Sequence, residues 1–133
     1  MVRALLAVTM LFSVACFNDY VTETGTITGA YTLRTINGSA LPYTINVDAT
    51  TQKDVIDDMI TLFSGGSYSR TQHANTTVSG QTTSQTNTES GAYLLVGTSV
   101  TLSPSPAGRS TVTTIEGRTL TIVESGITWT FMK

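Results

Sequence analysis

Residues 119–131 read TLTIVESGITWTF, and this stretch decides the fold class. Apolar side chains occupy every second position on both sides of Ser125-Gly126, namely Leu120 and Ile122 before it and Ile127, Trp129 and Phe131 after it. A period of two is typical of a β-strand with one buried face, and glycine supplies the positive φ that tight hairpins need. The stretch therefore predicts a β-hairpin.

The same alternation continues through the whole chain from Gly29 onward, interrupted by Gly, Asn, Ser and Pro at intervals typical of antiparallel sheets. It predicts strands at 31–36, 59–63, 92–96, 99–103, 109–115 and from 118, and turns at 37–38, 97–98, 116–117 and 125–126, with a loop at 104–108. Tyr43, Ile45 and Val47 are predicted to share one strand face. Eight or nine strands result, so the sequence predicts an all-β, antiparallel up-and-down meander that closes into a small barrel.

Residues 53–58 fit either a short helix or a strand, and the sequence leaves this choice open. Ile56, Ile60 and Leu62 share strand parity and lead into a turn at 64–67, so a strand is predicted at 59–63 while 53–58 stays open. Asp54, Asp57 and Asp58 form an acidic cluster, but their spacing matches no calcium loop, so a solvated loop or helix start is the better interpretation.

The stretch from Thr71 to Ser90 is almost free of apolar residues. A turn at Ser79-Gly80 places residues 66–68 beside residues 91–93, which predicts two long strands joined through a polar, Thr-rich tip. A hairpin that is solvated on both faces is held weakly in register, so we expect mobility there.

The composition excludes several classes of function. Charged residues make up 12% of the 133 residues and the formal net charge is −2, with scattered basic residues, so nucleic acid is excluded as a partner. One cysteine, Cys16, allows no internal disulfide. No phosphate-binding glycine loop, metal-ligand spacing or catalytic triad pattern occurs, and His73 is interpreted as a solvated strand residue. We therefore expect no enzyme, no metal and no cofactor.

Residues 1–15 have the organisation of a secretory signal, with Arg3 before a short apolar segment and small residues before Cys16. Residues 11–16 resemble a bacterial lipobox, which predicts a lipid on Cys16, a tether at 16–28 and a domain at 29–133. The alternative is an ordinary signal cleaved after Ala15, which gives a secreted or periplasmic protein. Phe17 and Asn18 resemble residues that permit outer-membrane sorting, so we expect a cell-envelope protein anchored to the membrane through its lipid.

The mature sequence resembles bacterial lipocalin-like lipoproteins over nearly its whole length. The resemblance is carried by a Gly-x-aromatic strand at 29–36 with an Asn-Gly turn, and by an apolar strand at 60–63 that leads through a Gly turn to Tyr68. Residues 91–102 and 117–131 fit the same plan, although Tyr31 stands where such domains often have Trp. The resemblance implies a calycin-like barrel and a cavity for a small apolar ligand.

Aromatic and aliphatic side chains at inward positions are the candidates for lining that cavity: Tyr31, Leu33, Tyr43, Ile45, Tyr68, Tyr93, Trp129 and Phe131. The same side chains also suit the filled core of a small barrel. Two functional hypotheses follow. One is an envelope lipoprotein that binds a small hydrophobic or amphipathic ligand, and the other is a packed, non-enzymatic scaffold that presents the Thr-rich hairpin to a protein or glycan partner.

Overall fold

Antiparallel β-strands account for most of residues 27–133, the part of the chain that the computed structural model describes. In chain order they are β1 Gly29–Ile36, β2 Ser39–Ala40, β3 Tyr43–Asn46, β4 Thr51–Leu62, β5 Ser67–Val78, β6 Gln81–Val96, β7 Ser99–Pro104, β8 Thr111–Glu116, β9 Thr119–Glu124 and β10 Ile127–Met132. The predicted turns at 37–38, 79–80, 97–98 and 125–126 are confirmed.

The sheet closes on itself through β1. Strands β4 to β10 lie side by side in chain order, β10 pairs with β1, and the first half of β1 pairs with the last part of β4, from Gly29 opposite Leu62 to Thr32 opposite Met59. The result is an eight-stranded barrel with β2 and β3 as additional strands at its rim. The prediction of an all-β, up-and-down meander that closes into a barrel is confirmed.

The barrel interior is filled by the inward face of each strand. Tyr31, Ile60 and Phe131 are fully buried there, together with most of the other apolar side chains at inward positions. Burying such side chains is the main favourable contribution to folding, about 1.5–3 kcal/mol for each large one. The core begins before β1, because Ile27 is buried and its carbonyl accepts a 2.7 Å hydrogen bond from the Tyr31 hydroxyl.

A β-bulge in β4 resolves the open choice at 53–58 and breaks the parity that Ile56 has with Ile60 and Leu62 in the sequence. Residues 53–58 are strand, and the register slips between Val55, which lies opposite Ala74, and Asp57, which lies opposite His73. Ile56 is the extra residue and is 39% exposed, so it does not share the inward face with Ile60. Val55 and Asp58 are buried instead, although three positions apart, because the bulge reverses the alternation.

Several smaller boundaries also differ from the prediction. Glu116 belongs to β8, so the turn predicted at 116–117 lies at 117–118, and β4 ends at Leu62 instead of Phe63. Val47 lies beyond β3 and is 61% exposed, so it does not continue the face of Tyr43. Pro104 ends β7 opposite Gly91 instead of opening the following loop, and β8 begins at Thr111 instead of Arg109. Proline is tolerated there because Ser105 and Ser90 form the hydrogen-bonded pair, so Pro104 lies at a non-hydrogen-bonded position where the β6–β7 ladder needs no N–H from it.

Candidate functional site

The hairpin of β5 and β6 extends beyond the barrel, and β4 accompanies it, pairing with β5 from Leu62 opposite Tyr68 to Thr51 opposite Val78. Strands β5 and β6 have 12 and 16 residues, whereas β7, β8, β9 and β10 have 6 each. Strand β7 pairs with β6 only from Gly91 to Val96, and the Ser105 N–H donates a final 2.8 Å hydrogen bond to the Ser90 carbonyl. Within the described chain, residues 81–89 of β6 therefore pair with β5 on one side only. We call the other side of these residues the free edge.

The backbone groups on the free edge belong to the even-numbered residues. A two-residue turn makes Val78 and Gln81 a hydrogen-bonded pair, so the odd residues of β6 bond to β5 and the even ones point away from it. Two bonds fit this alternation, because the Tyr93 N–H donates towards the β5 side, to Gly66, and the Ser90 carbonyl accepts from the β7 side. Thr82, Ser84, Thr86 and Thr88 consequently direct their N–H and C=O groups outward.

Apart from the charge of Glu89 at its end, the free edge has none of the usual protections of an edge strand. Residues 81–89 contain no lysine, no proline and no bulge, and each of their side chains is exposed. Natural sheets generally protect a long edge by one of these means, because an open row of N–H and C=O groups pairs readily with another strand. A free edge of nine residues is thus a surface that can accept a further strand.

A polar cleft lies at the root of the hairpin, between β5, β6 and the loop that follows β7. Its volume is about 670 Å³, and its walls include Arg70, Thr88, Glu89, Pro106, Arg109 and Glu124. A second cavity of about 270 Å³ shares Arg70, Glu89 and Glu124 and reaches Trp129. Positive and negative side chains are balanced in these walls, so the cleft suits a polar occupant better than an apolar molecule.

A buried polar network supports the hairpin where it leaves the barrel. Asp58 is completely buried on β4 and accepts hydrogen bonds from the Arg70 guanidinium, the shortest of 2.6 Å, and from the Gln72 amide at 2.9 Å. The Gln72 carbonyl oxygen in turn accepts a 2.7 Å hydrogen bond from Lys53 Nζ. Burial alone would lower the pKa of Arg70, but the hydrogen bond and the charge of Asp58 outweigh that effect and raise it.

The same guanidinium also lies over two aromatic rings of the core. Arg70 Cζ is 5.9 Å from the ring centroids of both Trp129 and Phe131, within the range of a cation–π interaction. These contacts attach β5 to β10 across the barrel interior. Arg70 therefore links the base of the projecting hairpin to the opposite wall of the barrel.

Tyr68 and Glu89 join the two strands of the hairpin at its root. The Tyr68 hydroxyl donates a 2.6 Å hydrogen bond to Glu89 Oε1. Burial, followed by the hydrogen bond to Glu89, raises the pKa of Tyr68 well above its usual value. Burial likewise raises the pKa of Tyr93, whose hydroxyl donates to the Phe63 carbonyl.

The candidate ligand-lining residues lie in the core, not around an open lumen. Tyr31, Leu33, Tyr68, Tyr93, Trp129 and Phe131 are buried, and Tyr43 and Ile45 pack against the same cluster from β3. Trp129 is the one member of the set that also lines the 270 Å³ cavity, and none of the eight lines the 670 Å³ cleft. The structure therefore brings the eight candidate residues together, but as side chains that pack in one hydrophobic cluster.

The residues that sequence reasoning missed are those of the polar network. Asp58 was assigned to a solvated cluster with Asp54 and Asp57, and this was wrong for Asp58 because the bulge turns it inward. Asp57 is exposed and contacts His73, which is an exposed strand residue as predicted. Arg70 and Gln72 share strand parity with Tyr68, and this was the signal that could have placed them inside.

Among residues 27–133, no group of three or more His, Cys, Asp or Glu side chains is arranged to hold a metal ion. In the same range, no helix has both the length and the apolar character needed to cross a membrane. The predicted lipid site, Cys16, and most of the predicted tether lie outside the described residues.

The fold and its free edge define a small closed antiparallel barrel with one long projecting hairpin. No protein-family model matches the chain, and no curated protein matches it in a sequence search. The resemblance to lipocalin-like lipoproteins therefore stays a prediction from the sequence.

Proposed function

We propose that this chain is a lipid-anchored, non-enzymatic envelope protein whose packed barrel presents the β5–β6 hairpin to an extended strand of a protein partner. The observation that supports this proposal is the free edge, where nine consecutive residues of β6 pair on one side only among the strands of residues 27–133. Strand addition to an open edge is a common mode of protein recognition, in which main-chain hydrogen bonds supply affinity and side chains supply selectivity.

The rest of the molecule suits such a scaffold. The barrel core is closed by fully buried side chains such as Ile36, Leu120 and Phe131, so it is a rigid support. The buried pair of Asp58 and Arg70 fixes the base of the hairpin to that support. A carrier of a small apolar molecule needs lumen space that these side chains occupy, and the cleft outside them is polar.

The proposed anchor rests on the sequence around Cys16, which lies at the end of the apolar segment of a secretory signal. A multiply acylated cysteine holds a domain firmly at a membrane, at about 0.8 kcal/mol per buried methylene. We expect Cys16→Ala to move the protein from the membrane fraction to the soluble fraction. Retention of the variant in the membrane fraction would contradict lipid anchoring.

Photo-crosslinking in cells tests the interaction surface. A photo-reactive amino acid at Thr86, on the free edge, should give covalent adducts of higher mass, whereas the same amino acid at Thr114 should not. Thr114 is a matched control because it is an exposed threonine of β8 that pairs with Ser99 on one side and Thr121 on the other. Adducts at neither position, or equally at both, would contradict the proposal.

A proline substitution on the free edge distinguishes strand addition from the binding of a glycan. The Ser84 N–H points outward, so Ser84→Pro removes an edge donor while leaving the β5–β6 ladder intact. Strand addition predicts that Ser84→Pro abolishes the adducts from Thr86 and that Ser84→Ala preserves them. A glycan partner would contact hydroxyl side chains on the hairpin faces, so its adducts would survive the proline and would refute strand addition.

A further inference from the structure

We propose that the strand received by the free edge is β6 of a second copy of this chain. The two copies pair antiparallel about a twofold axis that passes beside Gln85. This inference rests on the proposed function and deepens it, because it names the partner. It is carried by the self-complementarity of residues 81–89 in hydrogen bonding and in charge.

The hydrogen-bonding groups match when the axis passes at Gln85. The outward-facing even residues then form the hydrogen-bonded pairs, with Thr82 opposite Thr88 and Ser84 opposite Thr86 of the other copy. Each such pair exchanges both of its N–H···O=C bonds, so the ladder contains about eight backbone hydrogen bonds. Every outward N–H and C=O group of these four residues is used.

Moving the twofold axis by one residue in either direction gives a strand pairing that fits the free edge less well. An axis at Thr86 brings Ser90 into the ladder, but the Ser90 carbonyl already accepts the Ser105 N–H. An axis at Ser84 places Gly80, in the turn, opposite Thr88. The axis at Gln85 is therefore the one that uses the whole free edge and nothing beyond it.

The side chains on the pairing strand are compatible with their own copies. The opposing odd residues are Gln81 with Glu89, Thr83 with Asn87, and Gln85 with Gln85, so a carboxylate faces an amide that can donate to it. Glu89 is the one charged residue of the segment, and its two copies lie about 26 Å apart along the ladder. That separation exceeds the Debye length of about 8 Å at physiological ionic strength, so the pair meets no significant like-charge repulsion.

A twofold pairing also limits the size of the assembly. Because the interface is isologous, each copy covers the free edge of the other, and neither edge remains open for a third chain. A dimer of this kind explains how the chain can have an unprotected edge and still avoid aggregation. The expected product is a dimer in which the two hairpins form one continuous sheet.

Engineered disulfides test this register in the full-length chain expressed in a bacterial envelope. In the proposed dimer, Gln85 faces its own copy as a non-hydrogen-bonded pair with a Cα–Cα distance of about 4.5 Å, which a disulfide can span. Gln85→Cys should therefore form covalent dimers on mild oxidation. The unsubstituted chain controls for Cys16, its single native cysteine.

Thr83→Cys is the matched control, because it lies on the same face of the same strand and is equally solvent-exposed. Its own copy lies about 13 Å away, so its dimer yield should be about tenfold or more below that of Gln85→Cys. Co-expression of Thr83→Cys and Asn87→Cys chains, which face each other, should restore the dimer. Ser84→Pro added to Gln85→Cys should remove it.

The outcomes separate this inference from the proposed function. Equal yields from Gln85→Cys and Thr83→Cys, or no dimer from either, would overturn the β6–β6 pairing. If Thr86 still gives adducts that Ser84→Pro abolishes, the free edge receives a strand of another protein and the proposed function stands. If neither disulfides nor adducts form, both proposals fail.

Discussion

Arg70 on β5 donates to both carboxylate oxygens of Asp58 on β4, with its Nη2 atom 2.6 Å from Asp58 Oδ2. Asp58 is completely buried and the Arg70 side chain is 18% exposed, so the pair lies where the core meets the polar cleft. The pair thereby joins two parts of the molecule, the packed barrel and the projecting hairpin.

Replacing Asp58 by Asn should destabilise the protein by about 3 kcal/mol, because it removes the buried carboxylate that is hydrogen-bonded to Arg70 and leaves only the charges of Glu89 and Glu124 near the guanidinium. Asp54→Asn is the control, since Asp54 is only half-buried and an amide oxygen can still accept the hydrogen bonds from Thr44 and Gln52, so its effect should stay within about 1 kcal/mol. Urea unfolding of both variants checks this. A loss for Asp58→Asn no greater than that for Asp54→Asn would show that the ion pair does not support the hairpin root.

Deleting Ile56 should leave the barrel folded, because Ile56 is the extra residue of the bulge and its removal restores regular alternation between Val55 and Asp58. Deleting Thr121 should abolish folding. Thr121 lies in β9, which pairs without register shifts on both sides, so the deletion moves buried residues to the outer face. Far-ultraviolet circular dichroism and thermal unfolding compare the two deletions, and an unfolded Ile56 deletion would refute the bulge.

Gly91 is the position where a side chain has no room. A Cβ there would clash with the Ser103 carbonyl oxygen, so Gly91→Ala must displace β7 from β6. We expect a loss of more than about 2 kcal/mol in the free energy of unfolding. Gly108→Ala is the control, because its nearest neighbours are at 3.5 Å, and chemical denaturation of the two variants should separate them clearly.

Alkaline pH should destabilise the protein through its buried tyrosines. The pKa values of Tyr31, Tyr68 and Tyr93 are raised in the folded state, chiefly by burial. The unfolded chain therefore releases these protons first, near pH 10, and stability falls as the pH rises above that value. The fall should be shallower in Tyr68→Phe. The free energy of unfolding of the unsubstituted protein and of Tyr68→Phe is measured across this pH range, together with tyrosinate absorbance. Equal slopes of the free energy of unfolding against pH in the two proteins would contradict the contribution of Tyr68.

The overall fold was predictable because most strands bury one face and alternate strictly. Ile127, Trp129 and Phe131 point inward as their spacing indicates, and the Ser79-Gly80 turn gives the hairpin the register expected of it. In these segments local pattern and tertiary burial agree.

The polar network was not predictable from alternation, for two physical reasons. A bulge inserts one residue with no compositional signal, so the inward position of Asp58 depends on pairing with β5 and not on β4 alone. The open edge of β6 results from a difference in strand lengths between distant parts of the chain. Residues 81–89 by themselves resemble any polar strand.

Amide hydrogen exchange of the full-length protein, resolved by residue and compared at low and high protein concentration, tests the free edge most directly. At low concentration the amides of Thr83, Gln85 and Asn87, which bond to β5, should exchange slowly, and those of Ser84, Thr86 and Thr88 should exchange fast. At high concentration the even-numbered amides should become protected together. Protection of both sets at low concentration would show that the edge is not free, and even-numbered amides that stay unprotected at every concentration would show that it does not pair with a second copy.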